Sequence, residues 1–399
     1  MISLALLLLL LLDALLPAGL LLRWACGRAC AQEVCAPTLE NLQESLRPGE
    51  LLYVLEAENE PPRICAMSRG DVREAELSIG RDALRARAEL FLALMRDPGH
   101  PAEAALRRAV EDSAALRLGD LLLAPVADLL REHRLLTIAV EGSLRELPWG
   151  TLRFRPEAAP QAESRMLLDC VNALSITRTA DLLGSRSAPA QAIGAVGAVG
   201  YEAPPRILLE QRSPIARAYR GVDVRPARAD LQRLMRSRGY DLMQLAPTEQ
   251  LRRELPYLRF GMLGKTPRLV VLASEPGVAA AQAAGAAQGL IDAGVPTVLT
   301  ALWPVDPWVE QRFLSGFYAA LAEGRTAAEA LTVTQRLLRD DAATRSPAFW
   351  GGFVAFGESE SVVVLRPREV GVWWRALLAS LALIGVALYA SWRRRNPPL

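Results

Sequence analysis

The sequence predicts an α/β fold: a mainly parallel central sheet flanked by helices, with hydrophobic helices at both ends of the chain. Two observations carry the sheet. Short apolar runs alternate with stretches of helical spacing, the pattern of successive strand–helix–strand units. "LVVLASEPGV" (269–278) reads as a buried strand running straight into a loop, and in doubly wound α/β proteins chemistry sits just past the carboxyl end of a strand. A third observation carries the end helices. The chain opens on "MISLALLLLLLLDALLPAGLLLRW" and closes on "VWWRALLASLALIGVALYASWRRRNPPL".

In chain order, "ELLYVLEAE" (50–58) is a strand and "RICAMSR" (63–69) its hairpin partner. Residues 72–130 carry helical spacing, broken near "DPGHP" by Pro98 and Pro101. "LLTIAVEG" (135–142) is a short buried strand. "AIGAVGAVG" (192–200), "YDLMQLA" (240–246), "RLVVLAS" (268–274) and "VPTVLTALW" (295–303) are further strands. Helices follow over about 307–323 and 326–339. The second opens with a capping box, Thr326 as N-cap and Glu329 three residues on. "FWGGFVAFGE" (349–358) is the last strand, and 154–165 and 184–191 are surface loops.

Composition narrows the function. Of the 399 residues, 46 are basic and 44 acidic, a net charge of +2. That balance lacks the basic face of a nucleic-acid binder. Only two histidines exist, His100 and His133, which limits acid–base and metal chemistry near neutral pH. The cysteines Cys26, Cys30 and Cys35 lack the paired C-x2-C spacing of a zinc site, and no metal is expected. They read as disulfide partners in an oxidising compartment or as inert thiols. Cys170, inside the apolar run "MLLDCVNALSI", reads as a core cysteine. "GAVGAVG" has neither G-x-G-x-x-G spacing nor a P-loop's Lys-Ser/Thr, so no nucleotide cofactor is expected.

The two ends point to a membrane. Residues 1–31 read as a signal peptide or an N-terminal membrane segment, Ala29-Cys30-Ala31 offering a small-x-small cleavage site. Residues 372–392 read as a transmembrane helix. Ala376–Trp392 carries no charge, Trp373 and Trp374 flank one side, and Tyr389 and Trp392 flank the other. A basic tail, 393–399, follows. Arg393–Arg395 favour a cytoplasmic C-terminus and hence an extracytoplasmic body, whereas Arg23 and Arg28, if retained, favour the reverse.

The body, 49–358, resembles the CHAT domain, a caspase-like peptidase domain. "LLTIAVEGSLRELPWGTL" (135–152) resembles its first hallmark, with a Leu147-Pro148-Trp149 corner. "AAGAAQGLIDAGVPTVLTALWPVD" (283–306) resembles the second, a glycine-bearing helix and a strand ending in Leu-Trp-Pro-Val-Asp. "FYAALAEGRTAAEALTVTQRLL" (317–338) and "PAFWGGFVAFGE" (347–358) continue in the same order. The resemblance implies a Cys-His dyad, in which histidine deprotonates a cysteine that attacks a peptide carbonyl. Both positions are replaced. Ser274 stands at the nucleophile place, Gln244 at the first histidine place and Thr248 at the base. Glu275, Gly277, Trp303 and Asp306 keep the family frame, which implies a substrate pocket. A serine hydroxyl is a poor nucleophile without an adjacent base, and Lys265 in "GKTPR" reads as an exposed turn. The expectation is a membrane-anchored pseudopeptidase that binds or regulates a protein partner. The alternative is a hydrolase using Ser274 as an unorthodox nucleophile.

Overall fold

The computed structural model describes residues 39–97, 104–156, 163–183, 196–199, 214–219, 222–225, 240–245, 266–273, 280–358 and 380. They fall into two units within the stretch read as one body. Unit 1 holds the described residues within Met1–Ser187 and Ser346–Ser359, and unit 2 those within Ala188–Arg345 and Glu360–Leu399. The two apolar end segments and the basic tail lie outside the described residues, apart from residue 380. Among the described residues no helix is long and apolar enough to cross a membrane.

Unit 1 begins with α1 (Leu39–Ser45) and β1 (Glu50–Glu56). The apolar run of β1 is buried along nearly its whole length, as a strand covered on both faces must be. β2 (Arg63–Met67) pairs with it antiparallel, as the hairpin reading expects. β3 (Val72–Glu76) then pairs antiparallel with β2, so the helical reading of 72–130 begins too early. V-R-E-A-E alternates weakly, and its mostly exposed, charged side chains suit an edge strand that must not recruit another chain. Helical spacing takes hold in α2 (Arg81–Arg96), α3 (Ala104–Leu122) and α4 (Ala127–Glu132). β4 (Leu135–Val140) runs parallel to β1. β5 (Arg153–Phe154) and β6 (Arg165–Met166) form a two-stranded ribbon whose ends lie inside the stretch read as a loop. α5 (Leu167–Cys170) leads into β7 (Ala173–Thr177), parallel to β4.

Unit 2 contains β8 (Val196–Val199), α6 (Pro214–Ala218), β9 (Asp223–Arg225), β10 (Leu242–Leu245), β11 (Leu269–Leu272), α7 (Ala280–Asp292), β12 (Thr297–Ala301), α8 (Pro307–Ala322) and α9 (Ala327–Asp340). Its strands lie in the order β12–β11–β10–β8–β9, and every neighbouring pair is parallel. The capping box of α9 forms as read. The Thr326 side chain accepts from Glu329 N at 3.1 Å, and Thr326 N donates to Glu329 Oε2 at 2.9 Å. Gly324, at φ +88°, makes the turn between α8 and α9.

The chain returns to unit 1 with α10 (Pro347–Trp350) and β13 (Phe353–Gly357), parallel to β7. The strands of unit 1 therefore lie in the order β3–β2–β1–β4–β7–β13. The sheet is mixed here, antiparallel at the β1–β2–β3 edge and parallel elsewhere.

The Leu147-Pro148-Trp149 corner is a core anchor of unit 1. Trp149 is fully buried, its Nε1 donates to Leu144 O at 3.1 Å, and its ring meets the Tyr53 edge at 5.8 Å. Tyr53 donates its hydroxyl to Leu122 O at 2.7 Å, and burial pushes that hydroxyl well above the ordinary tyrosine range. Gly142, at φ +66°, turns the chain just after β4. The preceding Glu141 holds the loop beyond β7, its Oε1 accepting from Thr179 N at 3.0 Å and Thr179 Oγ1 at 2.6 Å.

Candidate functional site at the carboxyl edge of the parallel strands in unit 2

β10, β11 and β12 run side by side and parallel, so their carboxyl ends share one edge. The β10–β11 register runs from Leu242↔Leu269 to Leu245↔Leu272. One further bond, Ala273 N to Leu245 O at 3.0 Å, carries the pairing to the last described residue of β11's exit. The strands that carry the first histidine place and lead to the nucleophile place therefore end beside each other. Thr248, Ser274, Glu275 and Gly277 lie outside the described residues; Gln244, Trp303 and Asp306 lie inside them.

Gln244 is only 2% exposed on β10. Its Oε1 accepts a hydrogen bond from the Tyr318 hydroxyl on α8 at 2.8 Å. The Tyr318 carbonyl in turn accepts from the Tyr219 hydroxyl, just beyond α6, at 3.0 Å, and the two rings meet edge to face at 6.1 Å. Burial raises the Tyr219 hydroxyl far above its usual range, so it stays protonated and donating. A carboxamide does not titrate, so Gln244 supplies no base. What it supplies is attachment: it ties the end of β10 to α8. Neither tyrosine was anticipated from sequence, because a buried pair contributed by α8 and a segment 99 residues earlier leaves no local pattern.

Trp303, two residues past β12, is 4% exposed and packs in the core. Asp306 is exposed and caps α8: its Oδ1 accepts from Trp308 N at 2.8 Å, with Pro307 in the first helical position. Asp306 is thus engaged as a helix cap, and Trp303 belongs to the buried core. Trp308, in the first turn of α8, is 51% exposed. The Arg312 guanidinium lies over its ring, 5.6 Å from the centroid, and pairs with the Asp341 carboxylate.

The other candidate residues have structural surroundings. His133 ends α4 in unit 1, its Nδ1 2.9 Å from Leu129 O. His100 is outside the described residues. Cys170 is buried as expected, its Sγ 3.5 Å from Met166 O. Among the described residues no cluster of His, Cys, Asp and Glu could hold a metal. Unit 1 has a cavity of about 10 Å³ beside Glu58, Arg81, Arg85, Glu141 and Ser143, room for about one water.

Residues 242–358 match the sequence profile of the CHAT domain. No curated protein matches the chain in sequence. Among solved structures the chain is similar to Saccharomyces cerevisiae separase in its complex with securin. At 2.6 Å resolution the TM-score is 0.50, with 8% identity over 79% of this chain and 30% of that one. A 3.0 Å structure of the same complex gives 0.49 with the same identity and coverage. The chain thus spans less than a third of the separase chain it matches. The chain thus carries a CHAT-domain match over residues 242–358 and shares an α/β fold with separase.

Proposed function

We propose that this chain is a membrane-tethered, catalytically inactive CHAT-type domain that binds a polypeptide at the carboxyl edge of β10, β11 and β12. The observation that carries the reading is Gln244. At the place where the family resemblance expects a histidine stands a buried, non-titrating side chain committed to Tyr318. With Thr248 at the base position and Ser274 at the nucleophile position, neither a thiolate nor a base is available for peptide hydrolysis. The polypeptide ligand is taken from the resemblance to a peptidase domain, and the profile match and the shared fold support that resemblance. The tether rests on the apolar segments 1–31 and 372–392 and on the arginines that follow. Full-length protein in detergent, incubated with a proteome-derived peptide mixture and read by mass spectrometry, should generate no new termini. New termini that vanish in Ser274→Ala would support the second reading, a serine hydrolase on this fold.

A further inference from the structure

Trp308 is a large apolar side chain left half open to solvent, at the edge of the sheet where α/β proteins place their ligands. Its setting is built. Asp306 fixes its backbone through the 2.8 Å cap, and Pro307 fixes the first helical position. Arg312, one helical turn on, lies over the ring at 5.6 Å. Asp341, just beyond α9, pairs with Arg312 and is itself held, its Oδ1 accepting from Ala343 N at 2.9 Å. Three side chains, Asp306, Arg312 and Asp341, and a proline therefore hold one exposed indole in place. A stack between two exposed side chains contributes little to folding, a small return for leaving half an indole in water.

We infer that Trp308 is the contact residue of the proposed polypeptide site, and that it receives an uncharged apolar side chain of the bound segment. This rests on the polypeptide-binding reading and adds to it the residue and the ligand chemistry. Trp and Arg are the residue types most enriched where a few contacts carry most of the binding energy. A side chain already immobilised loses little entropy on binding, so its contact area converts to affinity more fully. Charge selects the ligand. The Arg312 cation already stacks on the indole and is neutralised by Asp341. A second cation finds the ring face already taken by Arg312, and an anion finds the guanidinium already paired. An apolar side chain meets neither obstacle and covers the open indole surface.

The test uses a phage-displayed random dodecapeptide library panned against the full-length chain in detergent. Enriched peptides are then synthesised and titrated against variants. The expected result is that they carry an apolar residue whose replacement by alanine abolishes binding. Trp308→Ala should weaken them about tenfold or more, the loss typical of a dominant contact, while Trp308→Phe keeps most of the affinity. Peptides that bind Trp308→Ala as well as the parent, yet lose affinity when Ala273→Trp fills the edge, overturn the role of Trp308 and leave the site standing. Enrichment of purely cationic peptides overturns the ligand chemistry. A library that yields no binder overturns both the inference and the polypeptide-binding reading.

Discussion

Gln244 and Tyr318 make the sharpest statement at the residue scale. Each is buried, and each satisfies a polar atom of the other. Gln244→Leu removes the acceptor of the Tyr318 hydroxyl and should lower stability by about 1–3 kcal/mol, the usual cost of taking one partner from a buried hydrogen bond. Adding Tyr318→Phe removes the donor as well, so the double variant should lose less than the sum of the two singles. Denaturant titration of all four proteins measures the coupling, and strict additivity would show that the pair does not interact. Glu146 makes a statement about pH. Burial raises its carboxyl pKa, against the attraction of Arg96 and Arg145. A folded-state pKa above the unfolded one gives stability that is full below the unfolded value, about 4.3, and lost as pH rises through the folded value. Glu146→Gln mimics the protonated form. It should raise Tm at pH 7, and the gain should shrink to nothing below about pH 4. A gain of equal size at both pH values would count against burial of the charge.

At the scale of elements, close approach decides which glycines are required. A Cβ on Gly119 of α3 would lie 2.0 Å from the Arg153 carbonyl oxygen of β5. Gly119→Ala must push helix from strand and should cost about 1–3 kcal/mol, as overpacking does. Gly289, inside α7, meets nothing within 4 Å. Gly289→Ala should instead stabilise by about 0.5–1 kcal/mol, because glycine loses the most backbone freedom in a helix. Thermal unfolding of the two variants should move in opposite directions. The same scale explains what could be read in advance. β1, β4, β10, β11 and β12 are short, nearly continuous apolar runs, which buried strands require, so they were visible. The α9 capping box was visible because its two partners sit three residues apart. β3 was not, since an exposed charged edge strand is held by pairing that composition does not record. β7 was hidden inside an apolar run read for its cysteine, although all five of its residues are buried.

At the scale of the whole molecule, the parallel pairing of β10 with β11 was legible because two strand-like runs each end in polar or turn-forming residues. The part of the candidate site that rests on distant partners was not. Tyr219 and Tyr318 converge on Gln244 only through the fold, and Trp308 gains its meaning from Arg312 and Asp341, the latter 33 residues later. Asp306, read as a pocket residue, also caps a helix, a contact its sequence position did not announce. The topology proposed for the tether makes its own prediction. Arg393–Arg395 should hold the C-terminus in the cytoplasm, so a reporter fused after Leu399 should be active inside the cell. Activity only outside it would reverse the orientation. The central claim is the absence of hydrolytic chemistry, and active-site labelling tests it most directly. Fluorophosphonate and acyloxymethyl-ketone probes, applied to the full-length protein, should leave it unlabelled at Ser274 and at every cysteine. Stoichiometric labelling of Ser274, abolished by Ser274→Ala, would contradict the account.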